Sequence, residues 1–84
     1  MSDEEFDVLD ELYFVLSYDE LEENLPHLRK VLKELISTLL SKGYVKCLIK
    51  ETEEEVLDIN EFNLNYKKYN YLATKAGLLA HNSK

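Results

Sequence analysis

The chain has 84 residues, with 17 Asp plus Glu against 10 Lys plus Arg and a formal net charge of -7. That length supports one domain over residues 1–84 and leaves little volume for a deep enzyme cleft, while 45% hydrophobic residues with 2 Gly and 1 Pro exclude a disordered tail. The single cysteine excludes an internal disulfide and a multi-cysteine zinc site, and with an acidic opening and no apolar run near the ~20 residues of a membrane span it predicts a cytoplasmic protein without membrane association.

From about Glu4 to Leu16, Phe6, Leu9, Leu12, Tyr13, Val15 and Leu16 recur at helical spacing, predicting a first helix with Asp3, Asp7, Asp10 and Glu11 on its other face. Phe14 falls in that acidic face and is a candidate contact for another chain. Ser17-Tyr18-Asp19-Glu20 is a capping box that opens a second, short helix running to about Asn24. Asn24-Leu25-Pro26 breaks the pattern; Asn24 is placed to cap the next helix and Pro26 to enter its first turn. A third helix is predicted over about residues 25–42, with Gly43 as its stop. Its apolar stripe is Leu28, Val31, Leu32, Leu35, Ile36, Leu39 and Leu40, and its opposite side carries His27, Arg29, Lys30, Lys33, Ser37 and Ser41.

After Gly43 the period falls to two. Tyr44 to Lys50 alternates as a half-buried strand, with Val45, Cys47 and Ile49 on one face. Glu51-Thr52-Glu53-Glu54-Glu55 is a polar tip, Val56 to Ile59 suits a short returning strand, and Asn60 to Asn65 reads as loop. Tyr66 to Leu72 has strand propensity, and Thr74 is placed to cap a terminal helix through Ala80. The expected fold class is α+β, mainly α: three helices, a β-hairpin wing and a short C-terminal helix.

A capped second helix, a tight turn, a longer amphipathic third helix and a hairpin is a helix-turn-helix plan. Leu32-Lys33-Glu34-Leu35 followed by Leu39-Leu40-Ser41-Lys42-Gly43-Tyr44-Val45 resembles the recognition-helix ending of bacterial winged helix-turn-helix regulators. Tyr71-Leu72-Ala73-Thr74-Lys75-Ala76-Gly77-Leu78-Leu79 is similar to the join between wing and last helix in the same superfamily, and Ser17 to Leu21 to the opening of its second helix. The resemblance covers about residues 5–80. It implies a double-stranded DNA partner, a transcriptional regulator and a homodimer, with the third helix as recognition helix.

Charge is distributed to suit that reading in part. Residues 1–24 hold ten acids and no Lys or Arg, whereas residues 25–42 hold Arg29, Lys30, Lys33 and Lys42 against Glu34 alone. Arg29, Lys30, Lys33 and Ser37, with neighbouring His27, are the candidate DNA contacts of the third helix, because Arg and Lys donate to guanine or phosphate and Ser to phosphate. Lys67 and Lys68 form a second candidate patch, interleaved with Tyr66 and Tyr69. The bland alternative makes the first set a solvated helix face and the tyrosines sheet-side core cover. Phe14, Phe6 and Tyr13 are the candidate dimer or partner contacts.

The tip departs from a DNA-reading wing by offering Glu51, Glu53, Glu54 and Glu55 where Arg or Lys serves phosphate. That departure supports a second expectation, a winged-helix protein-interaction module using the acidic N-terminal helix and the wing. No catalytic set, phosphate-binding Gly loop, dinucleotide fingerprint or metal-ligand spacing is present, so neither an enzyme nor a cofactor is expected. Cys47, in the inward register of its strand, reads as a buried structural thiol.

Overall fold

A computed structural model describes residues 1–83 as an α+β domain of five α-helices and a four-stranded antiparallel sheet. The elements are α1 (Asp3–Glu11), β1 (Leu16–Ser17), α2 (Tyr18–Asn24), α3 (Leu32–Ser41), β2 (Val45–Ile49), β3 (Glu55–Val56), α4 (Ile59–Asn65), β4 (Tyr69–Ala73) and α5 (Lys75–Asn82). Short 3-10 turns over Pro26–Leu28 and Tyr66–Lys68 precede α3 and β4. The strand order is β1-β4-β2-β3. None of the helices among the described residues is long and apolar enough to cross a membrane.

The local start and stop signals operate as the sequence predicts. Ser17 accepts from the Glu20 amide while Glu20 returns to the Ser17 amide, at 3.1 and 2.9 Å, so both halves of the capping box are made. Gly43 takes φ +76, and the Gly43 and Tyr44 amides donate back to the Leu40 and Leu39 carbonyls at 3.0 and 2.9 Å. This is a Schellman closure, which needs a residue tolerant of the left-handed region at that position. Thr74 accepts from the Gly77 amide at 3.1 Å and opens α5. A second capping box, on Ser2 and Glu5, opens α1.

Four boundaries differ from expectation. The first helix ends at Glu11 rather than Leu16, because the Leu12 carbonyl accepts the Ala73 amide at 2.9 Å and Leu16–Ser17 pairs with Tyr71 and Asn70 of β4. The third helix begins at Leu32: Pro26 starts a 3-10 turn, and Leu28, Arg29 and Val31 bond back three residues instead of four. Asn24 does not cap it; its side chain closes on Glu11 Oε1 at 2.8 Å. The expected strand and loop over residues 56–65 are instead β3, only two residues long, followed by α4, which Asp58 caps through the Asn60 amide at 2.8 Å. Finally, Tyr66–Lys68 is a 3-10 turn, and the last strand starts only at Tyr69.

The inner face of the sheet presents Val45, Cys47, Tyr71 and Ala73 to a layer built by Val8, Leu9, Leu12, Leu21, Leu32, Ile36 and Leu39, all buried. Leu48 is also buried, although it alternates with Cys47; its strand is central, paired with Glu55 on one side and Asn70 on the other. Burial pushes the Cys47 thiol up to about 12, which suits a packing role and leaves little thiolate at neutral pH.

One contact closes the helical layer and a second joins it to the ends of the sheet. At the first, the buried Glu5 carboxylate meets Lys42 Nζ at 2.8 Å, tying α1 to the end of α3. Burial alone would raise the Glu5 pKa; the Lys42 ammonium and the Ser2 amide and hydroxyl outweigh it and hold the group at about 2. At the second, Thr74 Oγ1 donates to the Gly43 carbonyl at 2.6 Å and the Thr74 amide to the Tyr44 carbonyl at 2.9 Å. Gly77 then passes so close to Tyr44 that a Cβ there would run into the Tyr44 carbonyl oxygen.

Each contact has a measurable consequence. Because Glu5 titrates lower in the folded chain than in the unfolded one, its contribution is complete above pH ~4.5 and is lost as pH falls toward 2. Urea titrations of Glu5→Gln against the parent should therefore differ by about 2 kcal/mol at pH 7 and converge in that acid window. Gly77→Ala should cost about 1–3 kcal/mol in the same measurement, because α5 must move off Tyr44.

Candidate nucleic-acid interface

Tyr71 sets the position of the candidate surface. Its ring is fully buried, with Phe62 of α4 edge-on at 6.1 Å and Tyr18 of α2 at 6.5 Å. Its hydroxyl donates to the Tyr66 carbonyl at 2.6 Å, which pins the 3-10 turn to the sheet. Burial, followed by the nearby Cys47, drives the Tyr71 hydroxyl far above its usual pKa, so it remains a proton donor. Tyr66 in turn stands edge-on to Tyr18 at 4.9 Å, and burial raises the Tyr18 hydroxyl to about 12, with Glu22 adding to the effect.

The Tyr66 ring is where the two predicted basic patches meet. Lys33 Nζ of α3 lies 4.7 Å from the ring centroid and Lys67 Nζ 5.9 Å, both within cation–π range. Arg29 and Lys30 are exposed in the turn just before α3, one helical turn upstream of Lys33, rather than on the helix itself. Lys68 is exposed in the 3-10 turn rather than on a strand. Ser37 lines a polar groove of about 430 Å³ between α3 and α4, together with Lys33, Glu34, Thr38 and Asn63. Thus Lys33 and Lys67 converge, and Ser37 shares the groove with Lys33.

His27 is not seen in that grouping. Its Nε2 lies 4.0 Å from Asp7 Oδ2, which directs it toward the acidic α1, and the pair is exposed. Phe6 and Tyr13 are engaged within the chain: Phe6 stacks on His81 of α5 at 4.0 Å, and the Tyr13 hydroxyl donates to Asn82 Oδ1 at 3.0 Å and sits 2.8 Å from His81 Nδ1. His81 Nε2 faces Asp10 Oδ1 at 3.3 Å. Phe14 projects from the loop after α1 and is 78% exposed.

Tyr66 was expected beside Lys67 and Lys68, but not as the ring that also takes Lys33. Asn63, the wall that α4 adds to the groove, escapes a reading of the sequence. The available signal for Asn63 was Asp58 as an N-cap with Ile59 and Phe62 three residues apart. Among the described residues no three His, Cys, Asp or Glu side chains assemble into a metal-holding group.

A scan against protein-family models, a search of curated proteins and a search of solved structures give no match to this chain.

Tyr71→Phe tests the pin on Tyr66 directly. Removing the hydroxyl leaves the Tyr66 carbonyl without this donor, so urea unfolding should show a loss of about 1–2 kcal/mol. Amide NMR shifts should move at Tyr66 and Lys67, while those of α1 and α5 stay in place.

Proposed function

We propose that this chain is a DNA-binding transcriptional regulator of winged-helix type. Its recognition surface comprises the residues from Arg29 through α3 together with the 3-10 turn before β4. The observation that carries this reading is the convergence of Lys33 and Lys67 on the Tyr66 ring, since it joins two separate stretches of positive charge. Arg29, Lys30 and Lys68 extend the same two stretches, and Ser37 adds a hydroxyl beside Lys33. A phosphate backbone is met by such a set of Lys, Arg and hydroxyl donors, and an exposed helix face with a polar groove suits entry to a major groove. α2, the turn over residues 25–31 and α3 supply the helix-turn-helix, and β2 with β3 the hairpin beside it.

In this reading the acidic tip at Glu51 to Glu55 stays away from phosphate, and the net charge of -7 weakens non-specific affinity without removing the local surface. The regulator acts as a homodimer, the commonest symmetric assembly, and Phe14 is the exposed aromatic left for that contact. A second reading, a protein-interaction module that leaves DNA alone, draws on the exposed Leu57, two residues beyond the Glu-rich tip.

Fluorescence anisotropy with a mixed-sequence DNA duplex across a salt series separates the two. Five engaged cations predict a log–log slope of about -4.5, and Lys33→Ala and Lys67→Ala should each reduce it by about 1. Undetectable binding at low salt, or a slope indifferent to both substitutions, would sink the DNA reading.

A further inference from the structure

We propose that the groove between the end of α3, the β2–β3 edge and α4, with one apolar wall and a polar rim, docks a protein segment that presents large apolar side chains flanked by Lys or Arg. The groove holds about 380 Å³, within the range of ligand-sized sites, and its apolar wall is Leu40, Val45, Val56, Leu57, Ile59 and Phe62. Val56 sits opposite Cys47 in the ladder, so the groove is where the core side of the sheet opens to solvent. Leu57 is 85% exposed and Ile59 43%, an arrangement that leaves apolar surface in water until something covers it. α4 produces this arrangement, since Asp58 starts the helix there and Phe62 anchors it in the core.

Charge selects the occupant. Glu55 and Asp58 line the groove, no Lys or Arg does, and Glu51, Glu53 and Glu54 lie on the adjoining tip. Among the described residues none of these five carboxylates has a Lys, Arg or His partner within ion-pair distance. An apolar floor under a rim of uncompensated negative charge favours a segment carrying both apolar and cationic side chains. A second copy of this chain fits poorly, because each copy carries -7 and its exposed Phe14 follows closely on Asp10 and Glu11. Anionic lipid and nucleic acid meet the same repulsion. The groove shares no residue with the Lys33–Tyr66–Lys67 cluster, so the proposal stands apart from the DNA reading.

The test is anisotropy of three dye-labelled synthetic peptides on the whole chain. One carries a Leu–Phe pair flanked by Lys, one the same pair flanked by Glu, and one Lys flanks around a Ser pair. The first should bind saturably, and the other two about tenfold or more weaker. Leu57→Asn and Ile59→Asn should each weaken the first peptide about tenfold, and Glu54→Gln with Glu55→Gln should weaken it and flatten its salt dependence. Leu64→Asn and Glu4→Gln, outside the groove, should leave it unchanged. Circular dichroism checks the fold of each variant, and amide shifts on the unsubstituted chain should map the peptide to β3 and α4. The proposal is overturned if the Ser-pair peptide binds equally well, if shifts map elsewhere, or if no peptide binds. It is also overturned if sedimentation shows a self-association that Leu57→Asn abolishes.

Discussion

The carbonyls of Gly43 and Tyr44 take the hydroxyl and the amide of Thr74, and the arrangement of the domain follows from that junction. One residue thereby closes the end of α3, fixes where β2 leaves it, ends β4 and starts α5. The hydroxyl works twice, donating to Gly43 and accepting from the Gly77 amide. Only a glycine at position 77 lets α5 come this close to the Tyr44 carbonyl. With the start of α5 fixed, its far end reaches α1 and the loop after it, where Phe6 and Tyr13 meet His81. The Glu5–Lys42 pair then ties α1 back to the end of α3, so the helical layer is closed on itself.

The same economy links the core to the charged surface. Tyr71 is a core residue by burial and a site residue by its hydroxyl, because the backbone carbonyl it holds is that of Tyr66, the residue whose ring gathers Lys33 and Lys67. Like charges on neighbouring elements repel, and the face of an aromatic ring offers partial compensation without neutralising either ammonium. The positive surface is thus held by packing beneath it and still presents its full charge outward. On the other side of α4 the local field has the opposite sign, at Glu55 and Asp58.

What was legible in the sequence is what depends on a few adjacent residues. The Ser17 box, the Gly43 stop and the Thr74 cap are satisfied by backbone groups three to five positions away, and each stands where the residue types place it. What was not legible is set by distant partners. α1 ends early because an amide at Ala73 takes the Leu12 carbonyl, a contact nothing near Leu12 announces. α4 contains Asn60, Asn63 and Asn65, poor helix formers, and its single buried residue, Phe62, gives too short a pattern to outweigh them. Pro26 was visible as a break, but its consequence, a 3-10 turn that sets Arg29 and Lys30 ahead of α3, was not. For the site, the cationic residues were visible and their meeting point was not, since Lys33 reaches the Tyr66 ring from 33 residues away in the chain.

The two outer strands, β1 and β3, are each only two residues long. Backbone groups along an open sheet edge are a template on which another chain can build, and a long apolar edge invites stacking into fibrils. Here one edge is cut short by the capping box that turns Ser17 into α2, and the other follows directly on Glu51, Glu53 and Glu54. A growing stack would have to bring those carboxylates into rows, each copy against the next. Carboxylates placed beside a strand edge oppose such stacking, the gatekeeper arrangement that discourages edge-to-edge pairing.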